Sequence, residues 1–488
     1  MNDAALLTVE EMYLADRLAI EAGTSGLELM ENAGAALERE VNKRWDRRPV
    51  VVLCGPGNNG GDGFVVARRL KDRGWPVRLA LLGTVENLKG DAAVNARRWD
   101  GRVEDLSPDI LNDRPLVIDA LFGAGLARAL EGAALACVEA INTDNLECVG
   151  VDVPSGTHGD TGEILRAAPK CALTVTFFRA KPGHLLMPGR ALAGDLVIAD
   201  IGTPNAVLDE IKPSVFINSP DLWEAQFPRP NMDAHKYARG HVVIRGGEEM
   251  TGAAQLVALG ARRIGGGLVS ISASEHAANI YRTGLPGNLV AAADTALEFS
   301  AFLADPRKNV IVIGPGMGAT PETKEFVLAA LATDRHIVLD ADALTAFADD
   351  PAGLTSCLNQ NHILTPHEGE FARIFSNQGS KITRTRAASS ETGATILIKG
   401  ADTVITASDG RSVINTTGTP YLATAGSGDV LAGMIAGLVA QGMEPFEAAC
   451  SGVWMHGRAG EIIGPGLIAE DLPEELPDIL EVVLNGDT

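Results

Sequence analysis

The sequence predicts two successive α/β domains, each a mostly parallel sheet with helices on both faces. Short continuous apolar runs alternate with helical stretches, which is typical of strands that are buried on both sides. The length of 488 residues exceeds that of one ordinary core and favours two or three domains. A cluster of prolines at about 209–237, comprising Pro213, Pro220, Pro228 and Pro230, predicts the linker between the two domains.

The composition describes a globular chain with a strongly acidic surface. Hydrophobic residues make up 46% of the sequence and charged residues 21%, and 63 acidic against 41 basic residues leave a net charge of −22. Such a surface repels nucleic acid and anionic membranes, so the sequence predicts neither as a partner. An anionic nucleotide would need local help from backbone amides, lysines or a metal ion.

The six cysteines are scattered along the chain, and no two of them are spaced as Cys-x-x-Cys. This spacing argues against a zinc site and a disulfide framework, and it favours free thiols in a reducing compartment. The polar stretch 1–11 is unlike a signal peptide, and the longest apolar run, near 430–443, is too short to span a bilayer. We therefore expect a cytoplasmic protein.

The first α/β segment is predicted to run from about residue 8 to about residue 206. It opens with a helical pattern, followed by a buried strand at 50–54 with the sequence Val-Val-Val-Leu-Cys. A glycine loop at 55–63 then leads into a helix predicted at 64–73. The remaining strands of this segment are predicted at 75–82, 116–119, 148–152, 173–178 and 196–201.

The glycine loop has the spacing of a dinucleotide-binding turn. Gly55, Gly57 and Gly60 fit the pattern G-x-G-x-x-G between a strand and a helix, which indicates a Rossmann-like, three-layer domain. A dehydrogenase would also place an acidic residue at the end of the second strand, but that strand ends at 81–84 as Leu-Leu-Gly-Thr. The loop therefore predicts binding of nucleotide phosphates and argues against redox use of NAD.

Side chains that carry oxygen atoms follow several strands of this segment. Asn59 lies in the glycine loop, Asp119 ends one strand, and Asp152 and Ser155 follow another. Because the carboxyl ends of parallel strands converge on one crevice, these side chains are expected to meet there. Oxygen donors without histidine or cysteine suit a hard cation. The alternative is that these residues cap helices and shape turns.

The second α/β segment ends with a turn suited to phosphate. Its strands are predicted at 241–244, 268–271, 310–313, 336–339, 362–364, 396–398 and 403–406. The turn Gly-Ser-Gly at 426–428 leads into a buried helix and so presents backbone N–H groups at a helix N-terminus. Asp429 follows directly and could take a proton from an attacking hydroxyl, which predicts phosphoryl transfer. The alternative is that Asp429 is a plain helix cap.

Four further pieces of the second segment combine a strand end with small residues. They lie at 246–253, 314–318, 364–370 and 398–403. Small residues let a ligand approach the backbone closely, so these pieces predict one ligand site. His367, which lies between a proline and two glutamates, is predicted to contact a ligand rather than to be structural. Lys399, between an apolar strand and a glycine, is predicted to contact a nucleotide rather than solvent.

With these residues assembled, the segment 8–206 resembles the NAD(P)H-hydrate epimerase family, the YjeF N-terminal domain. The resemblance is carried by Gly-Pro-Gly-Asn-Asn-Gly-Gly-Asp-Gly at 55–63 and by Val-Asp-Val-Pro-Ser-Gly at 151–156. The residues that it implies in binding the hydrated dinucleotide are Asn58, Asn59, Gly60, Gly61, Asp62, Gly123, Ala124, Gly125, Leu126, Ala127, Arg128, Ala129 and Asp152.

The same resemblance implies a cofactor and a catalyst. A potassium ion would be held by Asn59, Asp119 and Ser155. Asp152 would lie at the reacting nicotinamide ring and act as the acid–base catalyst. Lys181, in Ala-Lys-Pro-Gly at 180–183, also matches a family position, but no role is assigned to it.

The second segment, about 215–485, resembles the ADP-dependent NAD(P)H-hydrate dehydratase family, the YjeF C-terminal domain, whose fold is ribokinase-like. The resemblance is carried by Thr-Pro-His-Glu-Gly-Glu-Phe at 365–371, by Ile-Lys-Gly-Ala-Asp-Thr at 398–403 and by Ala-Gly-Ser-Gly-Asp-Val-Leu-Ala-Gly at 425–433. A sugar kinase would share only the last of these motifs.

This second resemblance implies ADP as co-substrate, with assistance from a magnesium ion whose ligands the sequence does not mark. The implied ADP-binding residues are Lys399, Gly400, Ala401, Asp402, Thr403, Gly426, Ser427 and Gly428. The implied contacts with the hydrated dinucleotide are Ala253, Gly316, His367 and Asp429, and Asp429 is the implied catalytic base.

The two segments in this order resemble bifunctional NAD(P)H-hydrate repair enzymes. We expect an epimerase domain at 8–210 and a dehydratase domain at 215–486 that act on NADHX and NADPHX, in a homo-oligomer. Two alternatives stay open at this point. The chain could be a small-molecule kinase fused to a nucleotide-binding domain, or its N-terminal domain could be only a regulatory or partner-binding module.

Overall fold

The computed structural model describes residues 4–232 and 235–486. The chain divides into two compact units between Val215 and Phe216. Each unit is built on a sheet with helices packed against it, so the predicted α/β class with parallel sheets is confirmed. Within the residues that the structure describes, no helix has both the length and the apolar character needed to cross a membrane.

Strands and helices alternate along most of the N-terminal unit. Its strands are β1 (Ala5–Leu6), β2 (Val50–Cys54), β3 (Val77–Leu81), β4 (Val103–Asp105), β5 (Leu116–Ala120), β6 (Cys148–Val151), β7 (Leu173–Phe177) and β8 (Asp195–Ala199). Its helices are α1 (Val9–Glu21), α2 (Gly26–Arg44), α3 (Asn58–Asp72), α4 (Gly90–Arg98), α5 (Gly132–Thr143), α6 (Gly189–Leu192) and α7 (Val207–Ile211). Side-chain caps set two of the starts: Thr8 forms a capping box with Glu11 before α1, and Ser25 caps α2.

Seven of these strands form one parallel sheet in the order β4-β3-β2-β5-β6-β7-β8. Helices cover both faces, so alternate residues of β2 enter different cores. Val50 and Val52 pack with residues of α2 and α3, whereas Val51 and Leu53 pack with residues of α5. The strand order reverses between β2 and β5, and this switch point opens a crevice at the carboxyl ends of the strands.

The C-terminal unit has the same alternation. Its strands are β9 (Val215–Ile217), β10 (His241–Arg245), β11 (Leu268–Ala273), β12 (Leu289–Ala292), β13 (Val310–Ile313), β14 (His336–Leu339), β15 (His362–Leu364), β16 (Thr395–Ile398), β17 (Val404–Thr406) and β18 (Ser412–Ile414). Its helices are α8 (Thr251–Arg263), α9 (Glu275–Gly284), α10 (Ala296–Leu303), α11 (Pro321–Leu331), α12 (Asp342–Thr345), α13 (Pro351–Thr355), α14 (Glu368–Ile374), α15 (Lys381–Thr392), α16 (Ser427–Ala440), α17 (Pro445–Ile463) and α18 (Leu472–Asn485).

The sheet of this unit follows the order β9-β18-β17-β16-β15-β14-β13-β10-β11-β12. The run from β16 to β12 is parallel, whereas β17 pairs antiparallel with both β16 and β18. Val242 and Ile244 of β10 pack with α8 and α16, and Val243 packs on the other face with α10 and α11. The order reverses between β10 and β13, so a second crevice opens at the carboxyl ends of these strands.

Two helices of the C-terminal unit, α8 and α16, touch along a seam of glycines. A Cβ atom added at Gly433 would overlap the backbone oxygen of Val257, and one added at Gly260 would lie 2.5 Å from the backbone oxygen of Val430. Backbone therefore lies directly against backbone. Because α16 begins at the turn predicted to bind phosphate, the seam fixes the distance between that turn and the first turn of α8.

The predicted glycine loop is shorter than expected. The helix predicted at 64–73 begins at Asn58, so residues 58–63 are helical rather than loop, and Gly57 is the N-cap. A Cβ atom at Gly60 would overlap the backbone of Gly55, and one at Gly63 would lie 2.7 Å from the Cβ atom of Ala120. Because these glycines have no side chains, α3 packs closely on the sheet. This packing stabilises the helical conformation of residues 58–63.

The interval 209–237, predicted as a linker, contains ordered structure. It holds β9 and the buried rings of Trp223 and Phe227, and Trp223 packs edge-on against Trp454 with the ring centroids 5.9 Å apart. The Trp223 indole N–H donates to Asn218 over 3.3 Å. The prolines interrupt the alternation of helix and strand, but these aromatic side chains still anchor the segment to the core. The predictions also missed β1, β4, β12 and β18.

Candidate functional site

A cavity of about 470 Å³ opens at the switch point of the N-terminal sheet. Its walls come from α1, α2 and α3 and from the loops that follow β2, β5 and β6. Ligands of open parallel sheets bind at this position. The polar and charged side chains that line the cavity are Tyr13, Asp16, Asn58, Asn59, Asp62, Asp91, Asp152 and Lys181.

The residues predicted to bind the dinucleotide divide into three groups. Those that line the cavity are Asn58, Asn59, Asp62, Gly123, Ala124, Gly125, Leu126 and Asp152. Gly60 and Gly61 are buried in α3, where they pack against the backbone of Gly55 and the side chain of Met30, so they shape the wall. A further three, Ala127, Arg128 and Ala129, are exposed and lie outside the lining. Their contact with a ligand stays a prediction.

Asp152 follows β6, and hydrogen bonds engage both of its carboxylate oxygens. Lys181 Nζ and Thr176 Oγ1 donate to Oδ1 over 2.7 and 3.0 Å, and the Ala124 N–H donates to Oδ2 over 2.9 Å. The φ angle of 67° lies in the left-handed region, which costs about 1–2 kcal/mol and is found at functional sites. Burial disfavours the charge, but Lys181 and the other donors outweigh burial and lower the pKa of Asp152 to about 2.

Lys181 and His184 hold this aspartate in place, and no role was predicted for either from the sequence. Lys181 is 2% exposed, and its Nζ also donates to Thr176 Oγ1 over 2.9 Å. His184 Nδ1 accepts the Lys181 N–H over 2.9 Å, so its Nε2 donates to the Asp152 carbonyl oxygen, 2.7 Å away. Burial lowers the pKa of His184 to about 4. The position of Lys181 just after β7, beside β6 in the sheet, is the signal that could have identified it.

Two of the three residues predicted to hold a cation meet below the cavity. Ser155 Oγ donates to Asp119 over 2.6 Å, and the Ser155 N–H donates to the other Asp119 oxygen over 2.8 Å. Both side chains are fully buried, whereas Asn59 lines the cavity. Burial raises the pKa of Asp119 to about 6, although the donors from Ser155 and Leu121 oppose it. These contacts shape the two turns, and cation binding stays a prediction.

In the C-terminal unit, the predicted phosphate turn begins α16. Its N-cap, Gly426, has a φ angle of 87°, and a Cβ atom there would overlap the side chain of Leu256, so only glycine fits. Ser427 is buried, and His456 Nε2 lies 3.1 Å from its hydroxyl and 3.0 Å from its carbonyl oxygen. The first turn of a helix leaves backbone N–H groups without helical partners. These groups make the start of α16 suitable for an anion.

Asp429 lies in the first turn of α16, as predicted from the sequence. Burial and then the charge of Asp340 raise the pKa of Asp429 to about 6, against the opposing charge of Lys399. A carboxylate whose pKa lies near the working pH is an effective general base. Asp429 therefore has the position and the electrostatic environment of a base beside a helix start that is suitable for an anion.

Lys399 lies against the same turn. Its Nζ donates to Asp340 over 2.6 Å and lies 3.4 Å from the point where Gly428 would carry a Cβ atom. Burial lowers the pKa of Lys399, but Asp340 outweighs burial and the net shift is upward. Asp340 and Asp342 flank Ala341, whose φ angle of 49° is strained for alanine. Neither aspartate was predicted to be a site residue, although Leu-Asp-Ala-Asp at 339–342 follows a strand like the other predicted pieces.

The remaining predicted ADP-binding residues form one turn after β16. Thr403 Oγ1 accepts the Gly400 N–H over 3.1 Å and donates to the Gly400 carbonyl over 2.9 Å. Asp402 is buried and pairs with Lys381 over 2.6 Å. These two side chains therefore hold the turn together, whereas Gly400 and Ala401 are exposed where a ligand could approach.

The predicted contacts with the hydrated dinucleotide surround the switch point between β10 and β13. Ala253 lies in the first turn of α8, and a Cβ atom at Gly316 would lie 3.0 Å from the Ala253 Cβ atom. His367 caps α14, because its Nδ1 accepts the N–H groups of Gly369 and Glu370 over 2.9 and 3.2 Å. The side chain of His367 is 56% exposed, so a ligand contact through Nε2 stays a prediction beside this structural role.

Comparison with known proteins gives matches over both units. A family model described as YjeF-related protein N-terminus matches residues 26–183, and one described as NAD(P)H-hydrate dehydratase matches residues 241–481. A ribokinase-like superfamily protein from Enterococcus faecalis, solved by crystallography, is 24% identical and covers 55% of this chain and 96% of that chain, with a TM-score of 0.51. This likeness shows that the fold of the C-terminal unit is ribokinase-like, as predicted.

Two curated relatives extend over the whole length. The bifunctional NAD(P)H-hydrate repair enzyme Nnr of Moorella thermoacetica is 36% identical over 97% of this chain and 96% of the relative. The enzyme of the same name from Salinibacter ruber is 35% identical over 97% of this chain and 96% of the relative. The chain therefore belongs to the family of bifunctional NAD(P)H-hydrate repair enzymes.

Proposed function

We propose that this chain restores hydrated nicotinamide nucleotides in two steps. The domain at 8–210 interconverts the R and S epimers of NADHX and NADPHX. The domain at 215–486 dehydrates the S epimer to NADH or NADPH, with ADP as co-substrate and AMP and phosphate as products. The observation that carries this proposal is Asp429, a carboxylate with a raised pKa at the start of α16 beside Lys399. Family membership supports both halves.

The dehydration would turn a poor leaving group into a good one. Asp429 takes the proton of the ring hydroxyl while the hydroxyl oxygen attacks the terminal phosphorus of ADP, and the bond from that phosphorus to the bridging oxygen breaks so that AMP leaves. Charge that develops on the transferred group lies near the N–H groups of Gly426, Ser427 and Gly428 and near the Lys399 ammonium. The phosphate ester formed on the ring can then leave as inorganic phosphate, with loss of a ring proton.

The other predicted contacts would position the two ligands of this reaction. Gly400, Ala401, Asp402 and Thr403 form a turn that offers backbone groups to the nucleotide. Ala253 and Gly316, which lie close to each other, would contact the nicotinamide ring, and His367 would donate from Nε2. A magnesium ion would be bound largely by ADP phosphates and water, which is the usual way this ion binds with a nucleotide.

The epimerase half would use the 470 Å³ cavity of the N-terminal unit. Asn58, Asn59 and Asp62 would contact the dinucleotide from α3, together with Gly60 and Gly61 as the backbone wall. The loop Gly123, Ala124, Gly125, Leu126, Ala127, Arg128 and Ala129 would close over the ligand. Asp152 would lie at the ring, where it is already held in place by Lys181.

A potassium ion would bind below this cavity through Asn59, Asp119 and Ser155. The groups that offset the burial of Asp119 are neutral donors, so a monovalent cation would supply the missing positive charge. In the described part of the chain, no group of three or more histidine, cysteine, aspartate or glutamate side chains could hold a metal ion. A single carboxylate with neutral oxygens therefore supports a monovalent rather than a divalent ion.

The remaining parts of the proposal concern the cellular setting. The partners are the two small molecules, ADP and the hydrated dinucleotide, and neither nucleic acid nor a membrane takes part. All six cysteines are free thiols, and five of them are buried, which supports a reducing compartment such as the cytoplasm. We further propose that the chain works as a homo-oligomer.

The test is to incubate the chain with ADP and a mixture of both hydrate epimers. The recovery of NADH is measured by its absorbance. A complete bifunctional enzyme converts both epimers, whereas a dehydratase alone stops when the S form is used up. A small-molecule kinase would leave a stable phosphorylated product and regenerate no reduced nicotinamide. Expressing residues 1–210 separately and assaying R-epimer conversion would show whether the N-terminal unit is an enzyme or only a binding module.

Replacing Lys399 with Met is expected to raise the KM for ADP about tenfold or more. One charge-assisted hydrogen bond contributes about 1.5–3 kcal/mol, and each 1.4 kcal/mol changes affinity about tenfold. The double variant Lys399→Met with Asp340→Asn is the control, because it removes the uncompensated buried carboxylate and should restore thermal stability without restoring the KM. An unchanged KM for ADP in both variants would contradict the nucleotide contact.

Epimerisation is expected to be faster in potassium salts than in sodium or magnesium salts at matched ionic strength. The reason is that the proposed ligands Asn59, Asp119 and Ser155 include a single carboxylate. They therefore balance the charge of a monovalent ion but not that of a divalent ion. Replacing Asp119 with Ala should weaken binding of the hydrate while the fold of the unit, followed by circular dichroism, is retained. Equal rates in all three salts would show that Asp119 and Ser155 only shape turns.

A further inference from the structure

The cavity of the N-terminal unit brings four aspartates and one lysine around a single space. Asp16 comes from α1, Asp62 from α3, Asp91 from α4 and Asp152 from the end of β6, and Lys181 follows β7. Among the described residues that line the cavity, Lys181 is the only lysine, arginine or histidine. It pairs with Asp152 at 2.7 Å. One cation therefore serves four carboxyl groups, which cannot all carry a charge at low cost.

Asp152 is poorly suited to moving a proton. Three donors already occupy its two oxygens, and the nearest of them is the Lys181 ammonium. Its pKa of about 2 means that it holds no proton near neutral pH and that it is a very weak base. What this geometry does provide is a fixed negative charge that holds Lys181 in one orientation.

Asp62 has the opposite environment. It lies in the first turns of α3, three residues beyond Asn59, and faces the same cavity. Burial raises the pKa of Asp62 well above 3.8, the charges of Asp152 and Asp16 raise it further, and Lys181 opposes them. Two carboxyl groups whose environments push their pKa values apart are the usual arrangement of an acid–base pair in an active site.

We propose that Asp62 is the residue that donates and recovers the proton during epimerisation, and that Asp152 acts as the fixed anion that orients Lys181. This inference rests on the proposed epimerase function. It assigns the acid–base role to a different carboxyl group from the one that the family resemblance implies.

The chemistry balances with one proton donor. The two epimers differ at the ring carbon that carries the hydroxyl and is bonded to the ring nitrogen. The Asp62 carboxylic acid gives its proton to the hydroxyl oxygen, the C–O bond breaks, and its electron pair leaves with the water molecule. The lone pair of the ring nitrogen forms a C=N bond. Water then adds from the opposite face, and its extra proton returns through water to the Asp62 carboxylate.

The same step explains why the donor should be neutral at rest. A neutral acid can approach the neutral ring hydroxyl, and after proton transfer its carboxylate lies beside the cationic ring. The other titratable groups that line the cavity are Tyr13 and Asp16 from α1, Asp91 from α4, Asp152 and Lys181. Two buried groups act on them from outside the lining: Cys54 interacts with the charge of Asp62, and His184 hydrogen-bonds to the Asp152 carbonyl oxygen. Asp16 is the competing donor, because burial raises its pKa as well. We favour Asp62 because it lies on the same helix as Asn58 and Asn59.

The experiment measures conversion of the purified R epimer by the full chain, with ADP present to draw off the S epimer. Asp62→Asn is expected to lower kcat about a hundredfold, with the KM within a few-fold of the parent. Asp72→Asn, at the exposed end of the same helix, is the matched control and should behave like the parent. Asp16→Asn should lose less activity than Asp62→Asn. A kcat for Asp62→Asn within a few-fold of the parent, or a larger loss in Asp16→Asn, would overturn the assignment.

Two further readouts separate proton transfer from a structural role. The acid must be protonated to act, so the parent rate should fall as the pH rises through the raised pKa of Asp62, and this limb should be missing in Asp62→Asn. Adding formate to Asp62→Ala should restore part of the rate, because a small carboxylic acid can occupy the vacated space. Absence of both effects would overturn the proposal. A parent chain that fails to convert the R epimer would instead overturn the epimerase function, and the Asp62 assignment with it.

Discussion

Replacing Asp429 with Asn is expected to stop dehydration while epimerisation continues at the parent rate. The amide cannot accept the proton of the ring hydroxyl, and loss of a general base lowers a rate by about 10²–10⁴-fold. The substitution changes neither the size of the side chain nor the start of α16. The measurement is NADH formation from the purified S epimer with ADP, with R-to-S conversion followed separately in the same preparation.

The pH profile gives a second check on the same residue. Asp429 acts only when ionised, so the dehydration rate of the parent should rise with pH through about 6, the pKa of its carboxyl group, and level off above it. Asp478→Asn, an exposed aspartate on α18, is a matched control that should keep both the rate and the profile. Dehydration by Asp429→Asn within a few-fold of the parent would remove this residue from its catalytic role.

Replacing Asp152 with Asn is expected to abolish epimerisation and to destabilise the N-terminal unit. The S epimer should still be repaired, whereas the R epimer should react only as fast as it epimerises without catalysis. Breaking a buried ion pair by removing one partner costs about 3–5 kcal/mol, and Lys181 would be left buried without its partner. R-epimer turnover and the thermal unfolding temperature measure the two effects.

A double variant separates these effects from each other. Asp152→Asn with Lys181→Met removes both charges, so it should recover much of the lost stability but none of the epimerase activity. Recovery of epimerisation in the double variant would mean that Asp152 only neutralises Lys181. Normal turnover of the R epimer in Asp152→Asn alone would place the reacting ring elsewhere in the cavity.

Much of the fold could be predicted because strands buried on both faces leave a clear pattern. The strands predicted at 310–313, 336–339 and 362–364 coincide with those in the structure, and each consists of apolar residues, preceded in two of them by a histidine. The helix α3 was predicted to start too late because glycines indicate a loop when read along the sequence alone. In the structure those glycines are the points at which the helix touches the sheet, and that contact outweighs their low helix propensity.

The motifs at the strand ends were enough to predict where each site lies. They did not identify the residues that shift the pKa values of the site carboxylates. Asp429 and Asp152 were predicted from their motifs. Their pKa values are set by burial together with the charges of Asp340 and Lys181, which lie far away in the sequence and reach them only after folding. Polar residues that pair across a crevice leave no periodic signal. For His367 the motif predicted a ligand contact but not the structural role. Its role as a helix cap follows from the local backbone geometry.

The glycine seam between α8 and α16 also bears on how this enzyme can diverge. Gly433 lies against the backbone of Val257, and Gly260 lies against that of Val430, so no larger residue can be accommodated by moving a side chain aside. Any substitution there would push apart the helix that carries Asp429 and the one that carries Ala253. Lineages that switch between nucleotides should therefore vary the exposed turn at 400–401 and keep the seam unchanged. Residues 400 and 401 are therefore the positions to vary in a directed-evolution experiment that seeks a new co-substrate preference.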